Sequence, residues 1–184
     1  GTIVVKNTPT PIGHKLTFFD EEGQPIPSLS LWRDGKKITV DGSYTLPFGD
    51  PGREKINPVL NTYAQLEYID IISENYSLSV DYLFHSESFI VGQKSKLILR
   101  PSLTLAHKPF LNRITKSTLK INTTNNQNIT SNITIDNPKL IDSEDYILEL
   151  PIKSYLRNIT IDLEIEIERI DKTTQTLTSN KTVN

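Results

Sequence analysis

The sequence predicts an all-β protein made of two consecutive β-sandwich domains. Residues 158–170, NITIDLEIEIERI, set Ile159, Ile161, Leu163, Ile165 and Ile167 on one face and Thr160, Asp162, Glu164, Glu166 and Glu168 on the other, the period of two of a long half-buried strand. Residues 18–48 space three turn signals between short apolar runs, the pattern of a β-meander. No segment keeps a helical period over ten or more residues, and the β-branched content of the apolar faces disfavours helix further.

Taken in order, TIVVK opens the chain as a first strand, and a second leads through Leu16 and Phe18 into a turn at Asp20–Gly23. Pro25 and Pro27 keep the next segment extended. Leu29 and Leu31 then alternate with Ser28, Ser30 and Trp32, which puts the only tryptophan on the serine face and predicts partial exposure. Asp34-Gly35 reads as a two-residue hairpin, and Asp41-Gly42 repeats the signal. Residues 49–58, GDPGREKINP, hold two Gly, two Pro and few apolar groups and read as an exposed loop or linker. The domains are therefore expected at 1–60 and 61–184, with tryptic cutting near Arg53 or Lys55.

In the second domain, Tyr76, Leu78, Val80, Tyr82 and Phe84 line one face of residues 76–84. Leu97, Leu99, Leu103 and Leu105 do the same in residues 94–105, where Pro101 lacks a ladder donor and marks an edge or a bulge. Residues 122–132 read as a long hairpin tip, with Leu119 and Ile121 leading in and Ile133 and Ile135 leading out; residues 172–184 read as a final strand or a frayed tail. The outward Glu164, Glu166 and Glu168 need cations opposite them, and Lys94, Lys96 and Arg100 have the parity to supply them. The strands at 94–105 and 158–170 are thus expected side by side; in separate sheets, the Glu stripe would instead defend an edge. Two cores follow, one centred on Leu16, Phe18, Leu29, Leu31, Ile38 and Leu46, the other on Leu78, Val80, Leu97, Leu99, Ile121, Ile161, Leu163 and Ile165.

Composition excludes several function classes. A net charge of −2, from 20 Lys+Arg and 22 Asp+Glu, offers no basic field for nucleic acid and no polybasic membrane anchor. Apolar runs of at most three residues are far short of a bilayer-spanning helix, so no membrane insertion is expected. The absence of Cys removes disulfides, thiolate nucleophiles and Cys-based zinc sites. With no Met and a Gly-Thr start, the chain is expected to be a piece of a longer or processed protein.

Motifs of chemistry are missing. His14, His85 and His107 are scattered without metal or triad spacing and read as structural or surface residues. The carboxylates at Glu21-Glu22 and at 142–145 fall in expected loops without calcium-loop spacing, and neither a nucleophile elbow nor a phosphate-cradling glycine loop occurs. No catalytic residue, metal site or cofactor is expected. Trp32, Tyr44 and Tyr63 are the aromatics available to touch a ligand. There are six sequons, at Asn75, Asn122, Asn128, Asn132, Asn158 and Asn180; so much Asn and Thr produces about four by chance, and the excess decides nothing.

Gly23, Pro25, Ile26, Asp34, Gly35, Lys36, Asp41, Gly42, Tyr44, Leu46 and Pro47 together resemble the prealbumin-like domains known as carboxypeptidase-regulatory-like or collagen-adhesin B-type repeats. Gly92, Gln93, Lys94 and Leu97 are similar to the opening of macroglobulin-type sandwich domains, without their thioester or bait segment. These resemblances imply an Ig-like or prealbumin-like sandwich for each domain. The first also brings the idea of an intramolecular isopeptide bond, with Lys6 as the amine and Asn61, at the start of residues 60–72, as the acceptor; the alternative is an exposed Lys6 at a strand end. The function they imply is a non-enzymatic spacer or interaction module of a larger secreted or cell-surface protein, partnered by another protein or by neighbouring domains. The alternative is a carbohydrate-binding or accessory domain of an extracellular hydrolase.

Overall fold

A computed structural model describes residues 1–106 and 108–184, with only the backbone of Ser86. His107 lies outside the described residues. The chain divides into two units, Gly1–Glu74 and Asn75–Asn184. Unit 1 carries β1 (Val4–Thr10), β2 (Gly13–Phe19), β3 (Ser28–Arg33), β4 (Lys36–Asp41), β5 (Ser43–Leu46), β6 (Gly52–Leu60), β7 (Tyr63–Ala64) and β8 (Glu67–Ile71). Unit 2 carries β9 (Ser77–Leu83), β10 (Lys94–Leu105), β11 (Lys108–Pro109), β12 (Ile114–Asn125), β13 (Thr130–Asp136), β14 (Tyr146–Pro151), β15 (Leu156–Glu168) and β16 (Thr174–Val183), with single 3₁₀ turns at Ser86–Ser88 and Leu111–Arg113. Among the described residues no helix is long and apolar enough to cross a membrane.

The expected linker at 49–58 is overturned, and the boundary moves from residue 60 to Glu74/Asn75. β6 pairs with β8 over Gly52–Ile56 and with β3 over Asn57–Val59, and Ile56 and Pro58 are buried. The strand is hidden in the sequence because Glu54, which shares their parity, faces inward. Its carboxylate is neutralised by an ion pair with Arg33, both side chains being about three-quarters covered.

Unit 1 is an antiparallel sheet in the order β1-β2-β5-β4-β3-β6-β7, with β8 also on β6. One core of Ile3, Leu16, Phe18, Leu29, Leu31, Val40, Leu46, Ile56 and Ile69 lies on its inner face, and Ile38 is half-buried against it. Asp34 (φ +50°) and Gly35 (φ +72°) make the left-handed pair that a tight hairpin requires, as the sequence predicts. Asp20 Oδ1 accepts from Glu22 N–H (3.0 Å) and Gln24 N–H (2.8 Å), which closes the first turn. Side chains join β1 and β2 to the segment around β8: Asn7 Nδ2 donates to Asp70 O at 3.5 Å, and Ile72 N–H donates to His14 Nε2 at 3.2 Å. Lys6 is exposed on β1, so it lacks the buried setting that an isopeptide bond requires.

Unit 2 is two four-stranded antiparallel sheets. In one, β10 pairs with β9 on one edge and with β14 and β11 on the other; the second runs β13-β12-β15-β16. Each buries one face: Leu97, Leu99, Leu103 and Leu105 of β10, and Leu119, Ile121, Ile161, Leu163, Ile165 and Ile167 of β12 and β15. Leu78 and Val80, expected at the centre of this core, are only half-buried because β9 is an edge strand. Its edge is stitched to β16 by Tyr82 Oη and Ser179 Oγ at 2.8 Å, and burial raises the Tyr82 pKa. The expected pairing of 94–105 with 158–170 does not occur, because β10 and β15 lie in different sheets. Nor does the Glu stripe guard an edge: β15 is central, and Lys116 and Lys120 of β12 stand opposite Glu166 and Asp162. The outward cations of β10 find acids elsewhere, Lys94 meeting Glu149 at 4.0 Å and Arg100 meeting Asp145 at 2.7 Å.

Pro101 sits in mid-strand, opposite Val80. Phe110 N–H donates to Leu103 O at 2.8 Å, so the backbone groups of Leu103, and by parity of Pro101, point to the edge shared by β14 and β11. β14 covers that edge over 94–99 and β11 over 104–105, which leaves residue 101 in the gap where no donor is needed. At the entry to β10, Gly92 N–H donates to Ile152 O (2.7 Å) and Ile152 N–H to Gln93 O (2.9 Å). The expected hairpin around 122–132 is β12–β13, paired up to Thr124 and Thr130, and the C-terminal residues form β16.

Candidate functional site

The sheet register decides what surrounds Trp32. On the outer face of unit 1, Trp32 of β3 stands opposite Lys37 of β4 and Asn57 of β6, and the next row sets Ser30 opposite Thr39 and Val59. Val59 is in turn opposite Ala64. Short neighbours leave the indole 43% exposed. The result is a shallow open depression lined by Trp32, Asp34, Gly35, Lys55, Asn57, Val59 and Ala64. Asn57 is held there by its Nδ2, which donates to Gln65 O at 3.2 Å.

The structure does not bring the other two predicted aromatics to this place. Tyr44 stands opposite Leu16 and packs half-buried against the core, near Arg33, whose guanidinium the adjacent Glu54 holds even more firmly protonated. Tyr63 is exposed on β7, and its hydroxyl donates to Gln65 Oε1 at 3.0 Å. Gln65 is a clasp: its Oε1 accepts from Ile3 N–H at 2.9 Å and its Nε2 donates to Ile3 O at 2.5 Å, so the side-chain amide replaces a neighbouring strand. Unit 2 repeats the device. Gln175 Oε1 accepts from Tyr76 N–H and its Nε2 donates to Tyr76 O, both at 3.2 Å.

His14 is 1% exposed. Since its Nε2 accepts from Ile72 N–H, its Nδ1 carries the proton that goes to Asn7 Oδ1 at 3.0 Å, which is the neutral tautomer. Burial lowers its pKa, and the ring of Phe48 meets it edge-on at 5.3 Å. His85 is exposed. Among the described residues no three His, Asp or Glu side chains converge as a metal site.

A second surface lies on the outer face of the β9–β10–β14 sheet. The register sets Leu83, Ile98 and Ile147 side by side across three strands. Leu83 is 44% and Ile147 55% exposed, and Ile98 is half-buried between them. Charged rows flank this stripe, Lys96 with Glu149 on one side and Asp81, Arg100 and Asp145 on the other; the Arg100 guanidinium holds the Asp145 carboxyl below the usual carboxylate range. The sequence does carry a signal for this surface: Ile98 and Ile147 are apolar residues at positions whose parity points outward.

Two antiparallel sheets, each apolar on one face, define unit 2 as an immunoglobulin-like sandwich, a class whose members typically serve as binding or spacer modules without chemistry of their own. The family model described as the AbpF third immunoglobulin-like domain matches residues 85–184, more than half of the chain, and the chain belongs to this family. The match takes in β10 to β16 and leaves β9 outside it. No curated protein matches the chain.

Proposed function

We propose that the chain is a non-catalytic interaction and spacer module of a larger secreted or cell-surface protein, and that it makes protein contacts through the open face of the β9–β10–β14 sheet. The observation that carries this reading is the Leu83–Ile98–Ile147 stripe: three adjacent aliphatic side chains between charged rows form an apolar centre with a polar rim. The family name places its domain third within AbpF, and two units with separate cores in succession suit a serial array. On this reading unit 1 is the prealbumin-like member of the array, as its turn residues imply, and the alternative of a carbohydrate-binding or hydrolase-accessory domain rests on Trp32.

The test is site-specific photocrosslinking on the surface of the source cells. A benzophenone amino acid at position 147 is expected to give a discrete protein adduct that Ile98→Asp abolishes, while the same probe at exposed Lys172 gives none. Equal labelling from both positions, or none from 147, removes the stripe as a contact surface.

A further inference from the structure

We infer that the depression around Trp32 is a binding site for a neutral pyranose oligosaccharide. The ligand class follows from the side chains that the sheet register brings together. An exposed indole on a flat β-face offers a π surface to the C–H face of a sugar ring, and the residues beside it, Ser30, Val59 and Ala64, are too short to cover it. Around the indole stand three different hydrogen-bonding groups. The Asp34 carboxylate accepts, the Lys55 ammonium donates, and the Asn57 amide both donates and accepts, which together match the paired hydroxyls of a pyranose.

Two features prepare this surface. Asn57 is oriented before any ligand arrives, because one of its amide hydrogens is committed to Gln65 O at 3.2 Å. Gly35, at φ +72°, has no atom beyond its chain neighbours within 4 Å of where a Cβ would stand, so the hairpin tip that lines the depression is uncovered, and the indole is 43% exposed. Within the lining one carboxylate and one ammonium cancel, with Lys37 opposite Trp32 just outside it, so the depression itself suits a ligand of little net charge. A protein hot spot would want an apolar surround; Trp32 has serine, threonine, lysine and asparagine across from it or beside it.

Trp32 is the only tryptophan, so its fluorescence reads this site alone. The full chain is titrated with tetrasaccharides of glucose in β-1,4 and in α-1,4 linkage, with chitotetraose, and with acidic trigalacturonate. A saturable blue shift is expected with at least one neutral probe, with a dissociation constant on the order of 0.1–1 mM. Asn57→Ala and Asp34→Ala should each weaken it about tenfold or more, while the urea midpoint of the Trp32 signal confirms that each variant is folded. No saturable shift with any neutral probe, a shift confined to trigalacturonate, or a shift that both variants leave unchanged overturns the inference. The proposed protein-contact stripe lies in unit 2, so either reading fails without the other.

Discussion

Gly13 shows how one residue is dictated by the fold. Its φ is +137°, and a β-carbon there would lie 2.5 Å from the carbonyl oxygen of Leu46, closer than any relaxation of a side chain relieves. Gly13→Ala is expected to destabilise unit 1 by about 2–4 kcal/mol, whereas Gly23→Ala, at φ +78° in open space, should cost only about 1 kcal/mol. Urea unfolding followed by Trp32 fluorescence separates the two. Beside Gly13, His14 makes unit 1 sensitive to pH. Its folded pKa is lowered by burial, so the native state binds fewer protons than the unfolded state between the folded value and the ordinary 6.5. The stability this neutral ring contributes is full above about pH 6.5 and is lost as pH falls through the folded pKa. The Trp32-reported midpoint should therefore drop between neutral and mildly acidic pH, and His14→Gln, which cannot be protonated, should flatten that drop.

Among the elements, the two glutamine clasps hold the entry into each unit. Gln65 bonds both backbone groups of Ile3, just before β1, and Gln175 both of Tyr76, just before β9, and each clasped residue is buried. A buried backbone group that loses its partner costs about 1–3 kcal/mol. Gln175→Ala is accordingly expected to speed hydrogen exchange at the start of β9 by about tenfold or more, with exchange in β12 and β15 unchanged. Uniform acceleration across unit 2 would mean that Gln175 supports the whole sandwich and not its entry alone.

For the molecule, two cores imply two unfolding events. Leu163→Ala empties part of the unit 2 core and should lower its transition by about 2–5 kcal/mol, while the Trp32-reported transition of unit 1 stays where it is. A shift of both signals together would show that the units unfold as one. Trypsin gives a complementary readout. Arg53 and Lys55 lie in β6, within the stretch paired to β8, so the native chain should resist cutting there, and Gly13→Ala should expose both sites.

Alternation alone determined most of the strands, because a half-buried strand needs only the period of two that Ile159 to Ile167 display. The same parity placed Trp32 on the outer face, and Asp34-Gly35 marked its hairpin, since left-handed backbone is a local requirement met by local residues. Residues 52–60 were illegible as a strand. Their inward Glu54 is tolerable only because Arg33, 21 positions earlier, folds against it, and no local pattern records such a partner. Strand pairing was decided in the same way. Lys94, Lys96 and Arg100 had the right charge and parity to meet the β15 acids, but so did Lys116 and Lys120, and closure of the two sheets chose the latter. The company of Trp32 and the stripe from Leu83 to Ile147 likewise exist only once distant strands are in register, because each is a row across a sheet and a sequence displays only what runs along a strand.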